Sequence, residues 1–327
     1  MEATTSLSSY WHPIARADQI HDQPQRFTLL DEQLVAFRDA DGVAVFKDLC
    51  IHRGAALSLG WIDNARLTCA YHGWQYDRSG ACVRIPSRPE GTPIPGKAHA
   101  ITYRATERYG LVWVAMEDPV APIPPFPDDE FDDPSYRAFL SYDVVWKTSA
   151  ARAVENFMDF SHFPYVHENL LGSRDHTVVE PYDVLEKDYG MFYAFEQEEP
   201  SELYGAKGMN RIRYEYYLYL PFTIHLRKIE PNGNTTVISL ASGPISAKES
   251  RNFVWIVRNH SIDRPDPEFG DFTNTIMEQD RVVVESQRPE EIPLDLREEL
   301  HIKVPDAASI LYRRQLADLD VGAPFMP

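Results

Sequence analysis

Cys50 with His52, and Cys69 with His72, stand in the run DLCIHRGAALSLGWIDNARLTCAYHGWQYD and carry the most specific chemistry of this chain. The pattern is C-x-H, sixteen intervening residues, then C-x-x-H. Each of two short loops therefore offers one thiolate and one imidazole, ligands suited to soft and borderline metals. Two such loops suit a two-iron cluster whose irons differ, one held by two sulfurs and the other by two nitrogens. The competing chemistry is a structural zinc site. Zinc sites keep their cysteines together and their histidines together, and the alternation here departs from that.

A second constellation lies in RAVENFMDFSHFPYVH, residues 152–167. On a helix, Arg152, Glu155, Asn156, Asp159 and His162 share one face, while Val154, Phe157, Met158 and Ser161 lie on another. Such a stripe is either a solvated face or, if buried, costly unless it binds something. Pro164 is expected to break the helix directly after His162 and bring His167 to the same point. Two neutral imidazoles with one carboxylate make the facial triad that holds non-haem Fe(II) and leaves positions open. The chain has 50 carboxylates to choose from. In FTNTIMEQDRVVVESQRP a helical stripe of Ile276, Asp280, Val283, Val284 and Gln287 leaves Glu278 and Glu285 pointing elsewhere. Asp280, on an otherwise apolar stripe, is the candidate third ligand, the alternative being an inward structural acid.

Several elements must position these residues. Short apolar runs at Phe27–Leu30, Leu34–Phe37, Val43–Phe46, Leu67–Cys69 and Leu111–Ala115 predict strands, with Asp41-Gly42 as a hairpin turn. The segment PVAPIPPFPDDEFDD can continue neither a helix nor a central strand and marks a linker. The expected organisation is an all-β domain over 1–117, a linker over 118–135 and an α+β domain over 136–327. In the latter, Tyr136–Trp146 is expected to be extended and a helix to start at Thr148 or Ser149. Strands are expected at Met191–Phe195, Arg211–Leu220, Thr223–Ile229, Thr235–Ala241 and Phe253–Val257, and helices at 270–287 and 305–318.

Composition narrows the setting. With 32 Lys and Arg against 50 Asp and Glu the net charge is −18, which disfavours nucleic acid or an anionic membrane as partner. No run approaches the ~18 uncharged apolar residues of a membrane span, and no secretory signal is visible. Of three cysteines, Cys82 reads as a small buried strand residue, leaving no pair for a disulfide and implying a reducing cytoplasm.

Both loops, with their flanking HRG and YHGW, and the N-x-x-D-x-x-H-x₄-H run from Asn156 to His167 resemble the catalytic α subunits of Rieske non-haem iron oxygenases. Respiratory Rieske proteins add a cysteine to each loop, at positions matching Ala55 and Tyr71 here. The resemblance implies a Rieske [2Fe–2S] cluster on Cys50, His52, Cys69 and His72, and a mononuclear Fe(II) on His162, His167 and Asp280. It makes Asp159 the carboxylate bridging an iron-ligand histidine to His72 of a neighbouring subunit in a head-to-tail homotrimer, and sets Asn156 beside the iron. The catalytic domain would be an antiparallel sheet gripped by helices, of START-like form. No G-x-G-x-x-G occurs, so electrons are expected from a separate NAD(P)H-dependent reductase, directly or through a ferredoxin. Compact length and the run HIKVPDAASILYRRQLADL are similar to the α-only branch of hydroxylases and N- or O-demethylases acting on small aromatic or heterocyclic substrates. The alternatives are cis-dihydroxylation of an aromatic ring and, in a different class, a Rieske electron carrier. The other histidines, His12, His99, His176, His225, His260 and His301, are expected to be surface or hydrogen-bonded core residues, with His225 a candidate for the substrate pocket.

Overall fold

The computed structural model describes residues 6–200 and 209–319. The chain forms two compact units, Ser8–Ile123 and the chain from Pro124 onward.

In the first unit, β1 (His12–Arg16), β2 (Gln25–Leu29), β3 (Glu32–Asp39), β4 (Gly42–Lys47), β9 (Thr102–Arg108) and β10 (Leu111–Ala115) form one sheet. Its strand order is β1-β10-β9-β4-β3-β2, antiparallel throughout. The hairpin closes one residue earlier than the sequence suggests, Asp39 pairing with Gly42 across Ala40-Asp41. A smaller sheet of β5 (Trp61–Asp63), β6 (Arg66–Thr68), β7 (Gln75–Tyr76) and β8 (Cys82–Arg84) carries the two Cys/His loops. Both sheets contribute to one core, in which Val35, Phe37, Phe46, Leu57, Leu67 and Tyr76 surround Cys50, Cys69 and Cys82. Cys82 is thus the apolar filler its context predicts.

The second unit is built on seven antiparallel strands: β11 (Arg137–Trp146), β12 (Val184–Lys187), β13 (Gly190–Pro200), β14 (Met209–Tyr219), β15 (Thr223–Ile229), β16 (Thr235–Ser246) and β17 (Glu249–Arg258). Their order is β11-β17-β16-β15-β14-β13-β12. Phe126, from the proline-rich stretch, packs against His225 and Trp255 of this sheet. The helices α1 (Ala150–Met158), α3 (Asp266–Val284) and α4 (Ala307–Asp318) contact the sheet, and the single turn α2 (Phe163–Val166) follows α1.

α1 starts where an alanine-rich run of good helix formers meets a capping hydroxyl: the Ser149 side chain accepts the Arg152 N–H. It stops at Met158, earlier than the sequence suggests. Asp159 is extended (φ −82°, ψ 139°), and its carboxylate accepts the Ser161 N–H at 2.8 Å, offering the backbone an alternative to the helix. Pro164 does not end a helix; it lies in the first turn of α2, where its missing N–H costs nothing.

The ionisable stripe of α1 therefore serves two ends. Arg152 is 1% exposed and donates to Glu299 at 2.7 Å and to the Pro289 carbonyl at 3.1 Å. Glu155 accepts two bonds of 2.6 Å from the buried Arg313 of α4, which also donates to Glu299 at 2.6 Å and to the Pro293 carbonyl. This half of the stripe ties α1, α4 and the intervening loop together. The other half, beyond Met158, is the site.

Candidate active site

The two Cys/His loops are conformational copies. Cys50 N–H donates to the Ala55 carbonyl and Gly54 N–H returns to the Cys50 carbonyl; Cys69 N–H donates to Trp74 and Gly73 N–H returns to Cys69. In each loop the glycine four residues after the cysteine sits at positive φ, +70° for Gly54 and +68° for Gly73, a conformation that favours glycine. The thiols point inward, with Cys50 2% and Cys69 1% exposed, whereas His72 is at the surface. The His52 and His72 rings lie 4.5 Å apart between centroids, and His52 stacks on Trp74 at 4.5 Å. His52 Nδ1 is a buried nitrogen without a hydrogen-bond partner among the described residues, as expected of an atom reserved for a metal. The Tyr76 hydroxyl, its pKa pushed up by burial and by Cys50, lies 3.1 Å from Cys50 Sγ.

A single zinc ion needs its donors around one point. Among the described residues, the group of three or more whose donor atoms lie within 4.8 Å of one another is His162, His167 and Asp280.

In the second unit His162 Nε2 and His167 Nε2 face each other at 3.2 Å. Asp280 Oδ1 lies 3.3 Å from the first and 3.0 Å from the second. The opposite ring nitrogens are both committed: His162 Nδ1 is 2.9 Å from Asp159 Oδ2, and His167 Nδ1 is 2.8 Å from Gln279 Oε1. Those acceptors hold the ring protons on Nδ1, leaving both Nε2 atoms as lone pairs. Two lone pairs and a carboxylate oxygen converging at about 3 Å repel one another unless a cation lies among them. In its absence a proton must serve. Burial opposes charge on His162, but Asp159 and Asp280 outweigh it and raise the imidazole to about 9. Burial likewise pushes the Asp280 carboxyl up, yet His162 and His167 hold it below its ordinary value. Asp159 behaves in the same way through His162 and Ser161. The donor set thus fits a divalent cation of the Fe(II) kind.

Three elements bring these groups together. His162 lies in the turn between α1 and α2, His167 directly after α2, and Asp280 on the buried face of α3. Gly172 closes the loop after His167 so tightly that a Cβ there would lie 2.8 Å from Pro164 N. Asn156 Nδ2 donates to Asp280 Oδ1 at 3.3 Å from one turn inside α1.

The buried face of α3 is Gly270, Thr273, Met277, Asp280 and Val284. Val283, expected on it, is 45% exposed. Glu278 and Glu285 do point elsewhere, to the Tyr142 hydroxyl and the Lys147 N–H. His225 does not line the cavity at the site. It is buried beneath it, bonded to the Ser239 hydroxyl at 2.6 Å, and burial depresses it to about 3. His260 bonds Thr236, His99 the Ala100 carbonyl, and His301 the Glu299 carbonyl. Sequence reasoning missed Gln279, a neutral residue whose only signal is its place beside Asp280 on a helix opposite a histidine.

His162, His167, Asp280 and Asn156 form one end of a cavity of about 350 Å³ between α3 and the sheet, walled mostly by apolar side chains.

Two family patterns match the chain: the Rieske [2Fe-2S] domain over residues 10–104, and the vanillate O-demethylase oxygenase C-terminal domain over residues 146–320. The methylxanthine N1-demethylase NdmA of Pseudomonas putida is 32% identical over 96% of this chain and 89% of its own length. The methylxanthine N3-demethylase NdmB of the same organism is 30% identical over 99% and 92%. The solved structure of NdmA with caffeine, from Pseudomonas putida CBB5, superimposes with a TM-score of 0.84 at 30% identity, over 95% of this chain and 90% of that one. With an all-β cluster domain, an α+β catalytic domain and donor sets that fit both metal groups, the chain belongs to the Rieske non-haem iron oxygenases as a catalytic α subunit, an O2-dependent oxidoreductase whose cofactors are a Rieske [2Fe–2S] cluster and a mononuclear iron.

Proposed function

We propose that this chain is a terminal monooxygenase that removes a methyl group from nitrogen or oxygen of a small aromatic or heterocyclic substrate, by hydroxylating the methyl carbon so that it leaves as formaldehyde. The observation carrying this reading is the meeting of two imidazole lone pairs and one carboxylate oxygen at the end of a largely apolar cavity. Cys50, His52, Cys69 and His72 would hold the cluster, and His162, His167 and Asp280 the iron. When bound, the two groups supply one-electron transfer and dioxygen activation.

The chain's own residues do the rest. Asp159 and Gln279 fix the two imidazoles in the tautomer that leaves both Nε2 atoms free, and Asn156 orients the Asp280 carboxylate. Apolar walls exclude water and press a flat substrate against the sheet. The Asp159 side chain remains 26% exposed after holding His162 and Ser161, leaving room for the further partner that a bridging role needs. That partner is His72 of a neighbouring subunit in a head-to-tail ring, a homotrimer closed by heterologous contacts. A separate NAD(P)H-dependent reductase, in the cytoplasm, supplies the electrons. Among the described residues no helix is long and apolar enough to cross a membrane.

Iron and acid-labile sulfide counts on protein purified without oxygen, with EPR of the reduced sample and formaldehyde release from methylated substrates with a surrogate reductase, test the reading. About three irons and two sulfides per chain with formaldehyde release support it. About two irons with no uptake of Fe(II) would make the chain an electron carrier.

Two variants probe the supporting residues. Asp159→Asn is expected to keep both metals but slow reoxidation of the reduced cluster about 10–100-fold in stopped-flow absorbance; loss of iron from this variant refutes the bridging role. Gln279→Leu strands the His167 Nδ1 proton and should weaken Fe(II) binding by about 10–100-fold, with Gln279→Glu restoring it. Unchanged affinity in the leucine variant would show that Gln279 does not position His167.

A further inference from the structure

Charge is unevenly distributed over this chain. Residues 50–97, which carry both Cys/His loops, hold six Lys and Arg against three Asp and Glu, a net +3 in a chain whose total is −18. Three of those cations, Arg66, Arg84 and Arg88, are exposed and surround one surface hollow of about 470 Å³, into which Glu90 sets a single negative charge.

The small sheet accounts for this gathering. β6 runs from Arg66 into the second Cys/His loop, and Arg84, at the end of β8, pairs with Gln75 directly after that loop. Beyond Arg84 the chain folds back over the same loop, so that a Cβ on Gly73 would lie 3.1 Å from the Pro86 ring. A partner seated on the arginines thus lies against the loop that presents His72 at the surface. The cations are open to such a partner. Among the described residues the Arg66 and Arg84 side chains make no hydrogen bond or ion pair, and Arg88 spends one donor on the Pro93 carbonyl at 2.8 Å. Asp63, opposite Arg66 in the register, accepts from Asn64 and Gln75 instead. Like charges held together in this way repel one another over a range of about 8 Å at physiological salt. A negatively charged partner relieves that repulsion, and complementarity of this kind steers encounter more than it adds affinity.

We propose that an acidic one-electron carrier protein docks on Arg66, Arg84 and Arg88, beside the second Cys/His loop. This rests on the oxygenase reading above and adds where the electron donor binds and by what charge. One electron passes from the carrier, which is oxidised, to the cluster, which is reduced; no bond forms or breaks. A total of −18 repels an acidic carrier from most of the surface, so the local positive field directs it to the loop. Val83 in the hollow and Tyr71 beside His72 are exposed apolar side chains that a transient interface can cover.

Titration calorimetry of the metal-loaded protein, with both partners oxidised, tests the proposal with a plant-type [2Fe–2S] ferredoxin, an acidic carrier, as the probe. Raising the ionic strength from about 0.02 M to about 0.5 M should weaken binding at least about tenfold. At the lower salt, Arg66→Glu with Arg84→Glu should raise Kd at least about tenfold, and Arg66→Gln with Arg84→Gln about threefold. Arg314→Glu, which reverses an exposed cation on α4, should leave Kd unchanged. Stopped-flow reduction by the ferredoxin should slow in the same order, while reduction by the small methyl viologen radical cation stays at least as fast and shows the cluster intact. A Kd insensitive to both arginine pairs, an equal loss in Arg314→Glu, or no binding to the unaltered protein at low salt overturns the proposal. So does a double reversal that changes the sedimentation coefficient but not the ferredoxin affinity, which would give this face to a second copy of the chain. Each of these outcomes leaves the oxygenase reading standing. Failure of viologen to produce a reduced Rieske-type EPR signal in the unaltered protein counts against that reading instead.

Discussion

Asp280→Ala is expected to empty the mononuclear site while leaving the cluster in place. Among the described residues, Asp280 Oδ1 is the anionic atom that faces both Nε2 lone pairs, at 3.3 and 3.0 Å. Without it two neutral imidazoles remain, too few to neutralise or orient a divalent ion in this buried setting. Iron should fall from about three to about two per chain, sulfide should stay constant, and the reduced-cluster EPR signal should persist. Turnover should drop at least about a thousandfold, the several kcal/mol that a metal centre contributes to such chemistry. Asp280→Asn keeps the shape and removes the charge, so the same loss there assigns the effect to ligation and not to packing. Full iron content and activity in both variants would dismiss Asp280 as a ligand.

Arg313→Met should produce the largest loss of stability. The Arg313 side chain is 3% exposed and binds both oxygens of Glu155, itself 12% exposed, together with Glu299. Removing the guanidinium strands a buried carboxylate, an uncompensated charge that costs about 3–5 kcal/mol. For a unit of this size that lowers the melting temperature by about 6–20 °C in calorimetry. The double variant Glu155→Met with Arg313→Met removes both charges and should recover much of the loss, because replacing a buried pair by apolar groups is often near neutral. A shift below about 2 °C in the single variant would mean that the network contributes nothing net.

Legibility in the sequence followed how local the determining physics is. Cys50, His52, Cys69 and His72 could be paired from spacing alone because each loop is a self-contained turn with its own glycine. Strands such as Thr223–Ile229 could be read from β-branched and apolar runs, and that one has the predicted bounds. The end of α1 could not. The periodicity of charged residues continues through His162, but the Asp159 side chain bonds the backbone two residues on and ends the helix at Met158. Arg152 and Glu155 seemed part of a ligand-binding stripe because their partners, Glu299 and Arg313, are more than 140 residues away in sequence.

α1 also couples two properties usually treated apart. Nine residues long, it is bolted to α4 directly through Glu155 and Arg313, and indirectly through Arg152 and the Glu299 that Arg313 also binds, and it delivers the chain to Asp159 and His162 directly beyond its end. An ion captured there binds the folded chain, so mass action credits folding with about 2.7 kcal/mol when free metal exceeds its dissociation constant a hundredfold. That is comparable to the loss predicted for Arg313→Met. Abundance of the protein should therefore track ferrous iron supply: starvation would deplete the polypeptide along with its turnover, and alleles weakened at the α1–α4 junction would be recovered by iron feeding.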